Sequence, residues 1–334
     1  MPGKVHVNKR LTDISVRFPP EFVSIRSRFF PRKSVEFLSD LIVKWNKANI
    51  LRLDELSPLG DDDLPPEMEV VLDADDAYLC RVFGVRAPAK EITRRNADPA
   101  LDYDVERSIS AKQRLDIRLE YLYVKQTLRD PTKMNVEVLT PDERWDDTTS
   151  GSSLPITKGR AVVAAIKYLN GGNPPNNVAL TTFTMNAILA NEETKDYTKF
   201  NVVSASQPIP DEALLEKLWN LPPGSIVISD ATYNAAKADA APQYKTFVGS
   251  SVIFGYTTPP GLRTYGLGVG FSFSGYSADP MAIIRVPQYD RGVIPGEDVR
   301  AFSIVDPHVL VADSGYVLEG CINVTDPKYK GLVD

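Results

Sequence analysis

The chain has 334 residues, 43% hydrophobic and 25% charged, with a formal net charge of −6 at pH 7. This is ordinary globular usage, enough for one large domain or two smaller ones, and the acidic balance argues against a protein that grips nucleic acid through clustered lysines and arginines. Two cysteines exclude a disulfide framework, no stretch approaches the roughly 18 consecutive apolar residues of a membrane span, and the N-terminus lacks the apolar run of a secretory signal, so a cytosolic site of synthesis is expected.

Residues 1–34 mix charge with isolated apolar residues and carry Pro19, Pro20 and Pro31, a pattern that predicts an extended arm. Its apolar residues, among them Phe18, Phe22, Ile25, Phe29 and Phe30, are too many for a freely solvated tail, so the arm should find a partner surface. Period-two alternation then predicts a strand with Val35, Phe37, Leu41, Val43 and Trp45 on one face and Glu36, Asp40 and Lys44 on the other. A second strand is predicted at 67–73, where Met68, Val70 and Leu72 alternate with acids, and the connection carries Asp61, Asp62 and Asp63. A long two-stranded excursion is marginal by itself, so something else should cover its apolar face.

The clearest helix runs from 99 to 129. Asp98 is placed as its N-cap and Pro99 at the first position, apolar stripes include Leu101, Val105, Ala111, Leu115, Leu119 and Leu122, and Arg129-Asp130-Pro131 stops it. Residues 150–290 read as α/β. Helices are predicted at about 157–170, 183–191 and 211–220, and strands at 178–182, 225–229, 246–254, 265–274 and 281–286. The stretch 299–324 is again strand-like.

The search for chemistry is negative. Gly266, Gly268 and Gly270 superficially match a phosphate-cradling loop, but FSFSGY follows in place of a helix, which predicts a glycine-rich strand admitting close backbone approach. His6 and His308 have no metal-ligand or triad spacing, Asp61–Asp63 lack the alternation of a calcium loop, and Asp146-Asp147 and Glu192-Glu193 are pairs that a chain this charged produces by chance. Cys80 and Cys321 read as buried thiols. No catalytic, cofactor or metal residue is assigned, which favours a structural role over an enzymatic one.

The order of features, and the strings LTDISVRFPPEFVSIRSRFFP, RAPAKEITRRNADPALDYDVE, ERWDDTTSGSSLPITKGRAVVAAI, NNVALTTFTMNAIL, SDATYNAAKAD, FVGSSVIFGYTTPP and SGYVLEGCI, resemble the major capsid protein of tailed bacteriophages over about residues 10–323. The resemblance implies an α+β Hong Kong 97-type fold. Its parts would be an N-arm (1–34), a two-stranded E-loop (35–85), a peripheral domain (86–149) with a spine helix at about 99–129, an α/β axial domain (150–290), and a return to the peripheral domain (291–334). It further implies self-assembly into hexamers and pentamers of an icosahedral or prolate head in the host cytoplasm, ending in the virion. Expected partners are portal and decoration proteins, a separate scaffolding protein or none, and packaged double-stranded DNA held by weak nonspecific contact. No long charged helical extension precedes the arm, so a fused scaffolding segment is not expected. The expected subunit-interface residues are Phe18, Phe22, Phe29, Phe37, Leu41, Val43, Trp45, Met68, Val70 and Leu72, with Trp45 the leading candidate. Lys44, Asn46, Lys47 and Asn49 lie near the loop, but no acid that would catalyse a cross-link is assigned to them. An encapsulin-like compartment shares the implied fold, and an α/β enzyme is the reading from a different class.

Overall fold

The computed structural model describes residues 23–45, 72–90, 103–147, 151–201, 211–237, 240–258, 266–274, 282–288 and 296–324. In chain order the helices are α1 (Arg26–Phe29), α2 (Tyr103–Tyr123), α3 (Pro155–Leu169), α4 (Thr182–Ala190), α5 (Glu192–Asn201) and α6 (Asp211–Trp219). The strands are β1 (Arg32–Val35), β2 (Ser39–Trp45), β3 (Leu72–Leu79), β4 (Arg81–Lys90), β5 (Asn135–Val138), β6 (Asn177–Leu180), β7 (Ile226–Ile228), β8 (Thr232–Asn234), β9 (Tyr244–Thr246), β10 (Val252–Gly255), β11 (Gly268–Phe273), β12 (Ala282–Gln288), β13 (Gly296–Val309) and β14 (Gly315–Glu319).

The 14-residue β13 is the centre of the first sheet. Strand β4 pairs antiparallel along one edge, with Val305 opposite Arg81, while β12 and β11 share the other edge, and β1 adds in parallel to β11. Helix α2 lies on β4 and β13 and buries Ala111, Leu115 and Leu119, spaced by four so that they stack on one face. The predicted rod continues beyond α2 as a π-helical turn, Val124–Leu128, that turns Val124, Thr127 and Leu128 into the core, while residues 99–102 and the Asp98 cap lie outside the described residues.

The second sheet has the order β5-β14-β10-β6-β7. Strands β6 and β10 are buried at every position, which is why NVAL and VIFG show no polar alternation. Helices α3 and α6 pack together beside it. An added Cβ at Gly159 would lie 2.2 Å from Trp219 Nε1, so only glycine permits this crossing, and Trp219 Nε1 donates to Pro155 O at 3.2 Å. The α3 N-terminus is capped from outside, because the Glu193 carboxylate accepts from Ile156 N at 2.7 Å and Thr157 N at 3.0 Å. Helix α6 ends at Asn220, whose φ of 56° is the left-handed conformation asparagine tolerates at helix ends.

Several expectations change. Residues 23–34, taken as part of an extended arm, hold the short α1 and the paired β1, and Ile25, Phe29 and Phe30 are core residues of their own chain. The predicted strand from Val35 to Trp45 is broken at residues 36–38: Val35 closes β1 against β11, and β2 starts afresh at Ser39. Of the predicted partner strand at 67–73, only Leu72 and Asp73 lie within the described residues, where they open β3, which runs on past the expected end to Leu79. The predicted strand 246–254 is two strands, β9 and β10. Residues 150–290 supply β6, β7 and β10 to the second sheet and β11 and β12 to the first, and 291–324 likewise divides between the sheets.

Candidate assembly surface

Strands β2 and β3 form an antiparallel ribbon apart from both sheets, with Ser39 opposite Leu79, Leu41 opposite Ala77 and Trp45 opposite Leu72, and a register shift between Ile42 and Lys44. Alternation gives the ribbon two unlike faces. On the inner face Tyr78 stacks on Phe271 with ring centroids 4.4 Å apart, and Ile42 packs on the buried cluster that includes Val35, Cys80, Val269 and Ile304. The outer face is apolar yet uncovered by the described residues: Leu41 is 62% exposed, Val43 58% and Leu72 50%, and Phe37, just before the ribbon, is 64% exposed. Exposed apolar residues scattered singly are normal, whereas several on one ribbon face mark a surface that associates.

A polar clasp fixes where the ribbon leaves the sheet. Lys44 pairs with Asp76 across the ribbon and donates to Leu310 O at 2.9 Å, and His308 Nε2 on β13 meets Asp76 Oδ2 at 2.8 Å. On the other side of the imidazole, His308 Nδ1 lies 3.6 Å from Asp306, whose carboxylate also accepts from Leu79 N at 3.0 Å. Burial disfavours the charged imidazole, but hydrogen bonds to Asp306 and Asp76 outweigh it and raise the His308 pKa. Burial would raise the Asp76 carboxyl, yet hydrogen bonds from Lys44 and His308 prevail and hold it below its ordinary value.

A second anchor joins the start of the described chain to α2. Glu120, 1% exposed, accepts from Ser24 Oγ at 2.8 Å, Ile25 N at 2.7 Å and Arg26 N at 3.2 Å, and Arg26 Nη2 reaches Asp116 at 2.7 Å. The carboxylate thus takes up amides at the start of α1 that the helix itself leaves unpaired. Burial raises the Glu120 pKa, although hydrogen bonds from Ser24 and Ile25 act in the opposite sense.

Of the ten residues expected at a subunit interface, Phe37, Leu41, Val43 and Leu72 are exposed together on or beside the ribbon. Phe29 is corrected: it is 0% exposed, in the core with Ile25 and Leu267, and no neighbouring subunit can reach it. Phe18, Phe22, Met68 and Val70 lie outside the described residues, as do Asp61–Asp63 and His6, and for Trp45 only the backbone is described. Sequence reasoning missed the clasp and the Glu120 anchor, whose partners are 232 and 95 residues apart. The one local signal was Asp306, two residues before His308.

Other groups have structural uses. Glu193 caps α3, and Asp146 accepts from Asn323 N at 3.0 Å. An added Cβ at Gly268 would lie 2.6 Å from Phe30 Cε1 and 2.7 Å from His308 O, which accounts for the glycine-rich strand. Cys80 and Cys321 are buried and unbridged, and burial pushes the Cys80 thiol up to about 11, away from reactivity. Among the described residues no group of His, Cys, Asp or Glu could hold a metal ion, and no helix is long and apolar enough to cross a membrane.

No protein-family model matches the chain, and no curated protein matches its sequence. Solved structures do match. A phage-related protein of Bordetella bronchiseptica RB50 aligns with a TM-score of 0.62 at 18% identity, over 89% of this chain and 92% of its own. The capsid of cyanophage P-SCSP1u aligns with a TM-score of 0.56 at 9% identity, over 95% of this chain and 98% of its own. A holo-encapsulin complex from Synechococcus elongatus PCC 7942 aligns with a TM-score of 0.52 at 11% identity, over 89% of this chain and 87% of its own. Most of the chain is spanned each time, and the structures so matched are mostly capsids of tailed phages: this chain has the α+β, Hong Kong 97-type fold of tailed-phage capsid proteins.

Proposed function

We propose that the chain is the major capsid protein of a tailed phage, assembling through hexamers and pentamers into a head around double-stranded DNA. The observation that carries this reading is the ribbon: an apolar outer face left open by the described residues, on a fold shared with the matched capsid and encapsulin structures. In this reading β2 and β3 with their connection are the E-loop, α2 is the spine helix, and the second sheet with α3 to α6 is the core of the axial domain. Phe37, Leu41, Val43 and Leu72 are then interface residues, and the alternation of the sequence adds Trp45, Met68 and Val70 to the proposal.

The four exposed residues are already between about one-third and one-half buried. Covering the remainder is worth about 1 kcal/mol per residue and roughly 3–6 kcal/mol per subunit, multiplied around a closed shell. DNA is held by confinement and weak nonspecific contact, in keeping with a net charge of −6, and portal, scaffolding and decoration proteins are the remaining partners. The protein acts in the virion after assembly in the host cytoplasm, with no catalytic step.

A second reading, an encapsulin-like compartment, has the support of the alignment to the Synechococcus complex. Negative-stain microscopy of the expressed protein tests the shared claim, since closed shells are expected and a monodisperse monomer refutes both readings. Particles purified from the native source separate the two, as packaged double-stranded DNA belongs to a head and protein cargo to a compartment.

A further inference from the structure

Between α1, α2 and the first sheet lies a half-open cavity of about 220 Å³, several times the roughly 30 Å³ share of a water molecule. Its lining includes Arg26, Arg32, Tyr123, Gly270, Ser272 and Ser303. Four of these present hydrogen-bond donors without an acceptor. Arg26 Nη1 and Ser303 Oγ are buried and unpartnered, and neither Tyr123 Oη nor Ser272 Oγ hydrogen-bonds another described residue. Tyr123, Ser272 and Ser303 are all more than nine-tenths buried as residues, and Ser303 Oγ itself is out of reach of bulk water. Buried donors are nearly always paired in proteins, and two that are not, Arg26 Nη1 and Ser303 Oγ, beside a cavity that Tyr123 and Ser272 also line, call for an acceptor.

The charges narrow its nature. Asp116 takes Arg26 Nη2 at 2.7 Å and Glu120 lies 3.9 Å from Nε, so these acids occupy one edge of the guanidinium and leave Nη1 to the cavity. Arg32 brings a second guanidinium to the rim, no acidic side chain among the described residues lines the space, and burial raises the Tyr123 pKa, keeping its hydroxyl a donor. Gly270 preserves the room, because a Cβ there would come within 3.0 Å of Tyr123 Oη. We propose that this cavity is an oxyanion site, taking a phosphate-class tetrahedral anion that bridges the α1 segment, the long helix and the first sheet. The site stands independently of shell assembly, since every contributing residue belongs to one chain.

The test is calorimetric titration of the full chain with inorganic phosphate, alongside melting in phosphate and in chloride of equal ionic strength. The expected result is one-site binding and a phosphate-specific rise in Tm of about 2–4 °C at 10 to 100 times the dissociation constant. Ser303→Ala and Tyr123→Phe each remove one donor and keep the packing, so each should weaken phosphate binding about tenfold or more, the loss expected for a hydrogen bond to a charged group. Without phosphate both variants should melt at or above the wild-type temperature, because Ser303→Ala deletes an unpaired buried polar group and Tyr123→Phe a hydroxyl that makes no hydrogen bond. Phosphate binding that is absent, matched by chloride or unchanged in both variants overturns the site, as does a fall in melting of both variants without phosphate.

Discussion

Glu120→Ala should be among the most damaging single changes in this chain outside the apolar core. The carboxylate accepts three hydrogen bonds from the chain at 24–26, two of them from backbone amides that have no alternative partner at the start of a four-residue helix. Ile25 is 0% exposed, so its freed amide cannot recover a bond to water, a loss of about 1–3 kcal/mol by itself. Leaving Arg26 with Asp116 alone and opening a small void brings the total to about 3–5 kcal/mol, the range for breaking a buried charged pair. Glu120→Gln keeps an acceptor oxygen and should cost about 1–2 kcal/mol. The pH dependence separates charge from geometry. Burial raises the folded-state pKa of Glu120, so the folded chain holds this proton more tightly than the unfolded chain does. The group therefore favours the fold most at low pH, and that contribution is lost as pH rises from the ordinary glutamate value through the raised one. Chemical denaturation across pH 4–8 should show this component in the wild type and not in Glu120→Gln. An alanine variant as stable as wild type would refute the anchor, and identical pH profiles would refute the role of burial.

The clasp at the ribbon root has its own pH window. The His308 contribution is complete below the ordinary histidine value of 6.5 and lost as pH rises through the raised folded value, while that of Asp76 is lost only as pH falls below 3.8, so His308→Gln should lower Tm at pH 5.5 and leave it nearly unchanged at pH 9. Equal losses at both values would rule out the charged imidazole. Leu41→Ser with Val43→Ser changes only the outer ribbon face, so the subunit should melt as wild type while the yield of closed particles, counted by microscopy, falls severalfold; normal particles would place the interface elsewhere. Gly159→Ala must displace Trp219 from its bond to Pro155 O and should cost about 1–3 kcal/mol by denaturant melting, and a neutral result would mean that α3 and α6 separate without penalty.

The elements legible in the sequence are those whose partners are local. Helices α3, α4 and α6 announce themselves by apolar spacing and caps, and Pro155, Thr181 and Asn220 sit where such signals predict. Strand β4 was missed because RVFGVRAPAK carries Gly84 and Pro88, residues that argue against a strand until β13 supplies ten residues of register along it. Helix α5 was missed because EETKDYTKFN has no continuous apolar stripe, and part of its stability comes through Asn191, which accepts from Glu193 N at 3.0 Å at its start. Phe29 illustrates the converse error. Its composition is that of a sticky arm, and only the distant Glu120 and the glycines of β11 turn the segment inward, because Gly268 lets the Phe30 ring close on the sheet and Glu120 pins the turn that aims Phe29 at the core.

The same reasoning explains why the assembly surface was partly legible. Alternation in a strand reports only that two faces differ, and identifies neither the face that meets its own subunit nor where the strand is interrupted. The apolar residues Leu41 and Val43 turn outward because the inner positions Ile42 and Lys44 meet the cluster of Tyr78 and Phe271 and the Asp76–His308 clasp, a mixed apolar and charged seat. In a monomer that arrangement is costly, since it directs charge inward and leucine and valine to water. It is favourable where a neighbouring copy covers the outer face, because the inner charges fix the ribbon's exit angle and so present the outer side chains in one orientation. The inward charge at the ribbon root and the outward apolar face are, on this argument, two parts of one device for joining identical subunits.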